Sequence, residues 1–179
     1  MSYKKPSYKK TVFDITISMA LVGLFVVLLA GFVGQTRKVN EVEIRAIDLN
    51  AVSRATSQRT DLPIYAPENL PDGWLATSGR LEQIQNQPMW RFGLVTADEE
   101  FVGVKVSTTE PERMLSASGY EITTSEIQII DGRTTTLWTD QAKAERGIYY
   151  QVEGVNLLIY GTASFDEQLK LIENLKLIS

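Results

Sequence analysis

The stretch Ile15–Gly34, ITISMALVGLFVVLLAGFVG, carries no charge and no proline, and four lysines stand just before it. About 20 residues at about 1.5 Å each reach roughly 30 Å, the thickness of a bilayer's hydrocarbon core. Such a segment is expected to divide the chain. A cytoplasmic tail would occupy 1–14, a transmembrane helix 15–34, a linker 35–40 and a single domain 41–179. Lys4, Lys5, Lys9 and Lys10 precede the segment, whereas Arg37 and Lys38 follow it. This excess favours a single pass through the cell membrane, with a cytoplasmic N-terminus and an extracytoplasmic C-terminal domain. A cleaved signal peptide is the rival reading. Against it, the apolar run is longer than a usual signal core. Ala30-Gly31-Phe32 also places phenylalanine where cleavage wants a small residue.

Within the segment, Gly23, Val27, Ala30 and Gly34 recur at helical spacing, and Ala30 and Gly34 form a small-xxx-small pair. Small residues let a second transmembrane helix approach closely, so these four are the candidates for helix–helix contact. The plainer explanation is that glycine and alanine are common in such helices.

From position 39 onward the chain has 12 basic and 21 acidic residues, a net charge of −9. That balance disfavours nucleic acid and anionic membrane surfaces as partners, and suits a basic protein partner or simple solubility. The chain has no cysteine and no histidine. Disulfides, thiol or Ser–His nucleophiles, Cys/His metal sites and covalently attached haem are excluded with them. No catalytic residue, cofactor site or metal site is expected.

Glu41–Ala46 alternates as a strand, and Asp48 is placed to cap a helix running to about Thr60. Leu62–Ala66 reads as a short strand, and PENLPDGW at 67–74 as a turn-rich corner with Trp74 buried after it. Strands are expected over Leu75–Gln83, Met89–Ala97 and Phe101–Ser107, with a polar loop through Gln85, Asn86 and Gln87. Thr109 and Glu112 suggest a capped helix start, with Gly119 ending that helix. Asp131-Gly132 between Glu126–Ile130 and Arg133–Trp138 specifies a type I′ hairpin. A second hairpin is expected near Gly154. Ser164 and Glu167 form a capping box for a last helix with Phe165, Leu169, Ile172 and Leu175 on its apolar face. The fold class is therefore α+β: a twisted, mainly antiparallel sheet of about six to eight strands covered by helices, the last packed on one sheet face.

The chain resembles an uncharacterised actinobacterial membrane family, domain of unknown function 4245. The resemblance rests on the N-terminal span, YAPENLPDGW at 65–74, ATSGR at 76–80, MWRFGLVTADEEFVGVKVS at 89–107 and GTASFDEQLKLIENL at 161–175. It implies an actinobacterial cell envelope and no particular reaction. The layout is also compatible with PsbP-like α/β/α sandwiches. A single span bearing a small acidic domain is similar in architecture to accessory subunits of actinobacterial supercomplexes that join cytochrome bc to cytochrome oxidase.

Among exposed candidates, Asp98-Glu99-Glu100 lacks the spacing of a calcium loop and reads as a solvated turn. Glu110 and Glu112 are explained as acids at a helix start. Trp74, Trp90, Trp138, Tyr149, Tyr150 and Tyr160 fit core packing better than a ligand pocket. The adjacent Tyr149 and Tyr150 must face opposite sides of a strand, so at least one of this pair is expected to be exposed and available for partner contact. The expected function is a non-enzymatic accessory or structural protein contacting a larger membrane complex. A lipid- or glycan-binding envelope domain is the alternative.

Overall fold

The computed structural model describes residues 45–178. The segment 15–34, with Gly23, Val27, Ala30 and Gly34, lies outside the described residues. Among the described residues no helix is long and apolar enough to cross a membrane.

Helix α1 is Leu49–Ser57, and the Asp48 side chain accepts the Ala51 N–H at 3.0 Å as its cap. Strands β1 (Ile64–Pro67), β2 (Leu75–Ile84), β3 (Gln87–Val95) and β4 (Phe101–Ser107) follow, then helix α2 (Pro111–Ala117). The chain continues through β5 (Thr124–Ile130), β6 (Arg133–Asp140), β7 (Glu145–Val152) and β8 (Val155–Gly161). It closes with helix α3 (Phe165–Asn174) and β9 (Leu175–Ile178).

Seven strands form one antiparallel sheet in the order β2-β3-β4-β8-β7-β6-β5, while β1 and β9 pair as a separate ribbon. Two meanders are thus joined along β4 and β8. After β4 the chain passes through α2 to the far edge and then returns strand by strand. The tight turns carry positive φ at both central residues: 50° and 66° at Gln85-Asn86, 51° and 74° at Asp131-Gly132, 47° and 82° at Glu153-Gly154. This is the type I′ geometry that matches strand twist. Gln87, expected in the loop, is already in β3.

Alternation sorts the side chains onto two faces. Val102, Val104 and Val106 point with Trp90, Phe92 and Ile159 into the larger core, which α1, α3 and the β1–β9 ribbon cover. Trp90 fixes the ribbon to the sheet by donating its indole N–H to the Tyr65 carbonyl at 3.1 Å. Gly79 lets α1 sit close, since a Cβ there would lie 3.1–3.3 Å from Trp90, Leu49 and Val52. On the opposite face Met114 and Leu115 of α2 pack on Trp138, Leu158 and Tyr160.

Several expectations are corrected. Arg45–Asp48 are not in a strand, and 41–44 lie outside the described residues. Helix α1 ends at Ser57 rather than near Thr60, where Leu62 N–H turns back to the Thr60 hydroxyl. Thr109 does not cap α2. The cap position is Glu110, without a side-chain bond, because Thr109 is held back by Ser107, whose hydroxyl bonds Thr109 Oγ1 at 3.2 Å. Phe165, Leu169 and Ile172 of α3 do pack against the larger core, with Gln168 and Leu171 buried beside them, but Leu175 belongs to β9 and not to the helix.

Candidate interaction cleft

The stretches carrying the family resemblance are far apart in sequence, and three of them meet at one surface cleft of about 820 Å³. Pro71, Asp72 and Trp74 come from the corner before β2. Ala97, Asp98 and Glu100 come from the β3–β4 turn. Thr162, Ser164, Asp166, Glu167 and Lys170 come from the start of α3, and Arg146 of β7 completes the wall.

Each wall is set by local chemistry. At the corner, Trp74 N–H donates to the Pro71 carbonyl at 3.0 Å, and Gly73 adopts φ +79°. A Cβ at Gly73 would stand 2.9 Å from the Cβ of Ala97, so the corner and the β3–β4 turn approach as closely as they do only with glycine there. In that turn Thr96, buried, accepts the N–H groups of Asp98 and Glu100 on its hydroxyl at 3.3 and 3.2 Å. Glu99 takes φ +62°. The acidic run is therefore a structured turn that aims Asp98 and Glu100 at the cleft.

The third wall is the capping box. Ser164 N–H and hydroxyl donate to Glu167 Oε2 at 2.9 and 2.8 Å, and Glu167 N–H donates back to Ser164 Oγ at 3.3 Å. Partial burial pushes the Glu167 carboxyl up. The hydrogen bonds from Ser164 and the Thr96 hydroxyl, with Lys170 nearby, outweigh it and hold the group below the usual carboxylate range. Behind this wall Gln168, fully buried, donates to the carbonyls of Arg146 at 3.2 Å and Ala163 at 3.1 Å. Arg146 keeps its guanidinium 5.9 Å from the Phe165 ring.

The cleft sets Asp72, Asp98, Glu100, Asp166 and Glu167 against only Arg146 and Lys170. Its carboxylates outnumber its cations five to two, so the cleft is acidic. Among the described residues no group of three or more acidic side chains is placed to hold a metal ion.

A second recess, of about 420 Å³, opens on the opposite face beside α2. Lys105, 7% exposed, donates to Ser118 Oγ at 2.5 Å and lies 4.7 Å from the Tyr160 ring centroid. Burial first, then the Arg91 charge, push its pKa down to about 8. Tyr120 donates to Glu145 Oε2 at 2.6 Å, and burial together with that bond raises its pKa.

Tyr149 and Tyr150 do face opposite sides of β7. Tyr150, one of the two candidates for partner contact, is 5% exposed and packs in the larger core, so it offers no surface. Tyr149 is half-buried against the smaller cluster. Trp90 and Trp138 are buried in the cores. Sequence reasoning missed Arg146, Thr162 and Lys170. Thr96 had a readable signal, a threonine two residues before an acidic turn.

No curated protein matches this chain. Among solved structures it is similar to the Pseudomonas aeruginosa MucA/MucB complex, with 8% identity, a TM-score of 0.38, 64% of this chain and 35% of that chain. It is also similar to MucB in complex with MucA(peri), with 9% identity, a TM-score of 0.38, 64% of this chain and 36% of that one. The chain spans about a third of the length of these structures. The family model for DUF4245, described as a protein of unknown function, matches residues 8–175. With nearly its whole length matched, including the three stretches that build the cleft, the chain belongs to the DUF4245 family.

Proposed function

We propose that this protein is a non-enzymatic, single-pass accessory protein whose extracytoplasmic domain contacts a larger membrane complex. One assembly that fits this reading is the actinobacterial cytochrome bc–cytochrome oxidase supercomplex, by analogy of layout with its accessory subunits. One observation carries the reading: three distant stretches converge on a preformed acidic cleft. The partner it suits is a basic, extracytoplasmic protein segment, since charge complementarity steers and orients such contacts. The span would dock through Gly23, Val27, Ala30 and Gly34.

The test is to pull down the tagged full-length protein from native membranes in mild detergent. Haem-containing respiratory subunits in near-stoichiometric amounts are the expected companions, and recovery of the protein alone would overturn the reading. Asp98→Lys with Glu100→Lys should reduce that recovery at least tenfold without lowering Tm. Unchanged recovery would remove the cleft from the contact. A scrambled span that still co-purifies would remove the helix seam.

The recess beside α2 supports the second reading, a lipid headgroup or glycan site, because Lys105 and Arg91 stand there beside Tyr120 and Tyr160. Lipid or glycan retained by the protein purified alone, and lost on Lys105→Met, would favour it.

A further inference from the structure

The seven-stranded sheet has two edges, and they are built differently. The β2–β3 ladder shifts register between Ala76 and Ser78, and Arg80 and Glu82 form an ion pair on that edge strand, with Arg91 joining them. Bulges and charges of this kind discourage pairing with another chain. The other edge, β5, has neither device. Its sequence TSEIQII pairs with β6 without a shift and carries one charge, Glu126. Ile127 and Ile129 are 71% and 78% exposed, well above the other exposed large apolar residues described.

The Asp131-Gly132 turn fixes which backbone groups of β5 are free. In a two-residue hairpin the flanking residues, here Ile130 and Arg133, exchange N–H and C=O bonds. Alternation then turns Gln128, Glu126 and Thr124 toward β6. The N–H and C=O groups of Ile129, Ile127 and Ser125 point out of the sheet.

We propose that β5 pairs antiparallel with β5 of a second copy of this chain, about a two-fold axis through Ile127. Ile127 then faces Ile127, Ser125 faces Ile129, Glu126 faces Gln128 and Thr124 faces Ile130. Every residue of the strand is paired, and all the outward backbone groups are satisfied. Within one copy Gln128 Nε2 already donates to Glu126 Oε1 at 3.0 Å, and across the axis the same donor and acceptor meet twice. An axis through Glu126 would set carboxylate against carboxylate, which cross-strand pairing disfavours. An axis through Gln128 would run Thr124 into the turn at Gly132. The contact is isologous, so it closes at two copies and joins both sheets into one. It uses none of the residues that line the acidic cleft, so it stands or falls separately from the accessory reading.

The chain has no cysteine, so single substitutions in the full-length protein report cleanly. Ile127→Cys should give a disulfide-linked dimer on mild oxidation in membranes, because paired Cα atoms here lie about 5.5 Å apart, within disulfide reach. Thr124→Cys would sit about 20 Å from its own copy and should give less than a tenth of that yield. Glu126→Cys and Gln128→Cys, on differently tagged chains, should cross-link to each other. Ile127→Lys should convert the detergent-solubilised dimer to monomer with Tm unchanged, since the site is exposed. A native chain that is monomeric at every concentration would overturn the proposal. So would equal cross-linking at positions 124 and 127.

Discussion

Trp90 and Trp138 are equally hidden, 0% and 1% exposed, but they differ in one hydrogen bond. Trp90 donates to the Tyr65 carbonyl, whereas the indole N–H of Trp138 has no partner. Removing a paired buried donor strands its acceptor, and removing an unpaired one does not. Trp90→Phe should therefore cost at least about 1 kcal/mol more than Trp138→Phe. Urea denaturation checks this, and equal losses would refute it. Glycines divide in a similar way. A Cβ at Gly147 would run into the Ile159 carbonyl and the Trp138 indole, whereas nothing lies within 4 Å of one at Gly132. Gly147→Ala should destabilise by about 3 kcal/mol or more. Gly132→Ala should cost only the strain of its left-handed φ, about 1–2 kcal/mol. A Tm drop for Gly132→Ala as large as that for Gly147→Ala would contradict the packing.

At the scale of elements, the C-terminal segment does more than cover a sheet face. Helix α3 brings Leu171 and Ile172 to the core, and β9 is the only partner of β1 among the described strands. A chain ending before Ser164 loses both, together with the Gln168 bonds to Arg146 and Ala163. It is expected not to fold, and comparable melting of the full and shortened domains would disprove that. Ser164→Ala should cost about 1 kcal/mol through the capping box alone. The starts of α1 and α3 and the tight hairpins were legible because they are local: Asp48, Asp131-Gly132 and the Ser164–Glu167 pair act within a few residues. Of the β1–β9 ribbon only β1 was legible, as the short strand read at Leu62–Ala66. Strand β9 was not, because Leu175 reads as the end of the last helix, and the pairing joins two four-residue strands more than a hundred residues apart.

For the whole molecule, buried titratable groups set how stability changes with pH. The pKa of Lys105 falls from 10.5 to about 8 on burial, with the Arg91 charge adding to it. Between those values the unfolded chain holds the proton and the folded chain does not, so stability rises with pH across that window. The full shift corresponds to roughly 3 kcal/mol. Burial raises Tyr65, which also donates to Glu153, and Tyr150 from 10.0 to about 12. Their contribution is complete below pH 10 and is lost as pH climbs through 12. Stability is therefore expected to increase above pH 8 and to turn down beyond about pH 10. Lys105→Met should abolish the rise, and an unchanged pH profile in that variant would exclude Lys105 as its source. The sequence by itself determined the α+β class, most strand positions and the capped last helix, because periodicity, turn chemistry and capping are properties of neighbouring residues. Only the tertiary structure decided that Tyr150 is core, that Lys105 is buried, and that the corner at 71–74, the turn at 96–100 and the start of α3 form one cleft. Those outcomes depend on which distant strands lie side by side, and no short-range pattern encodes that order.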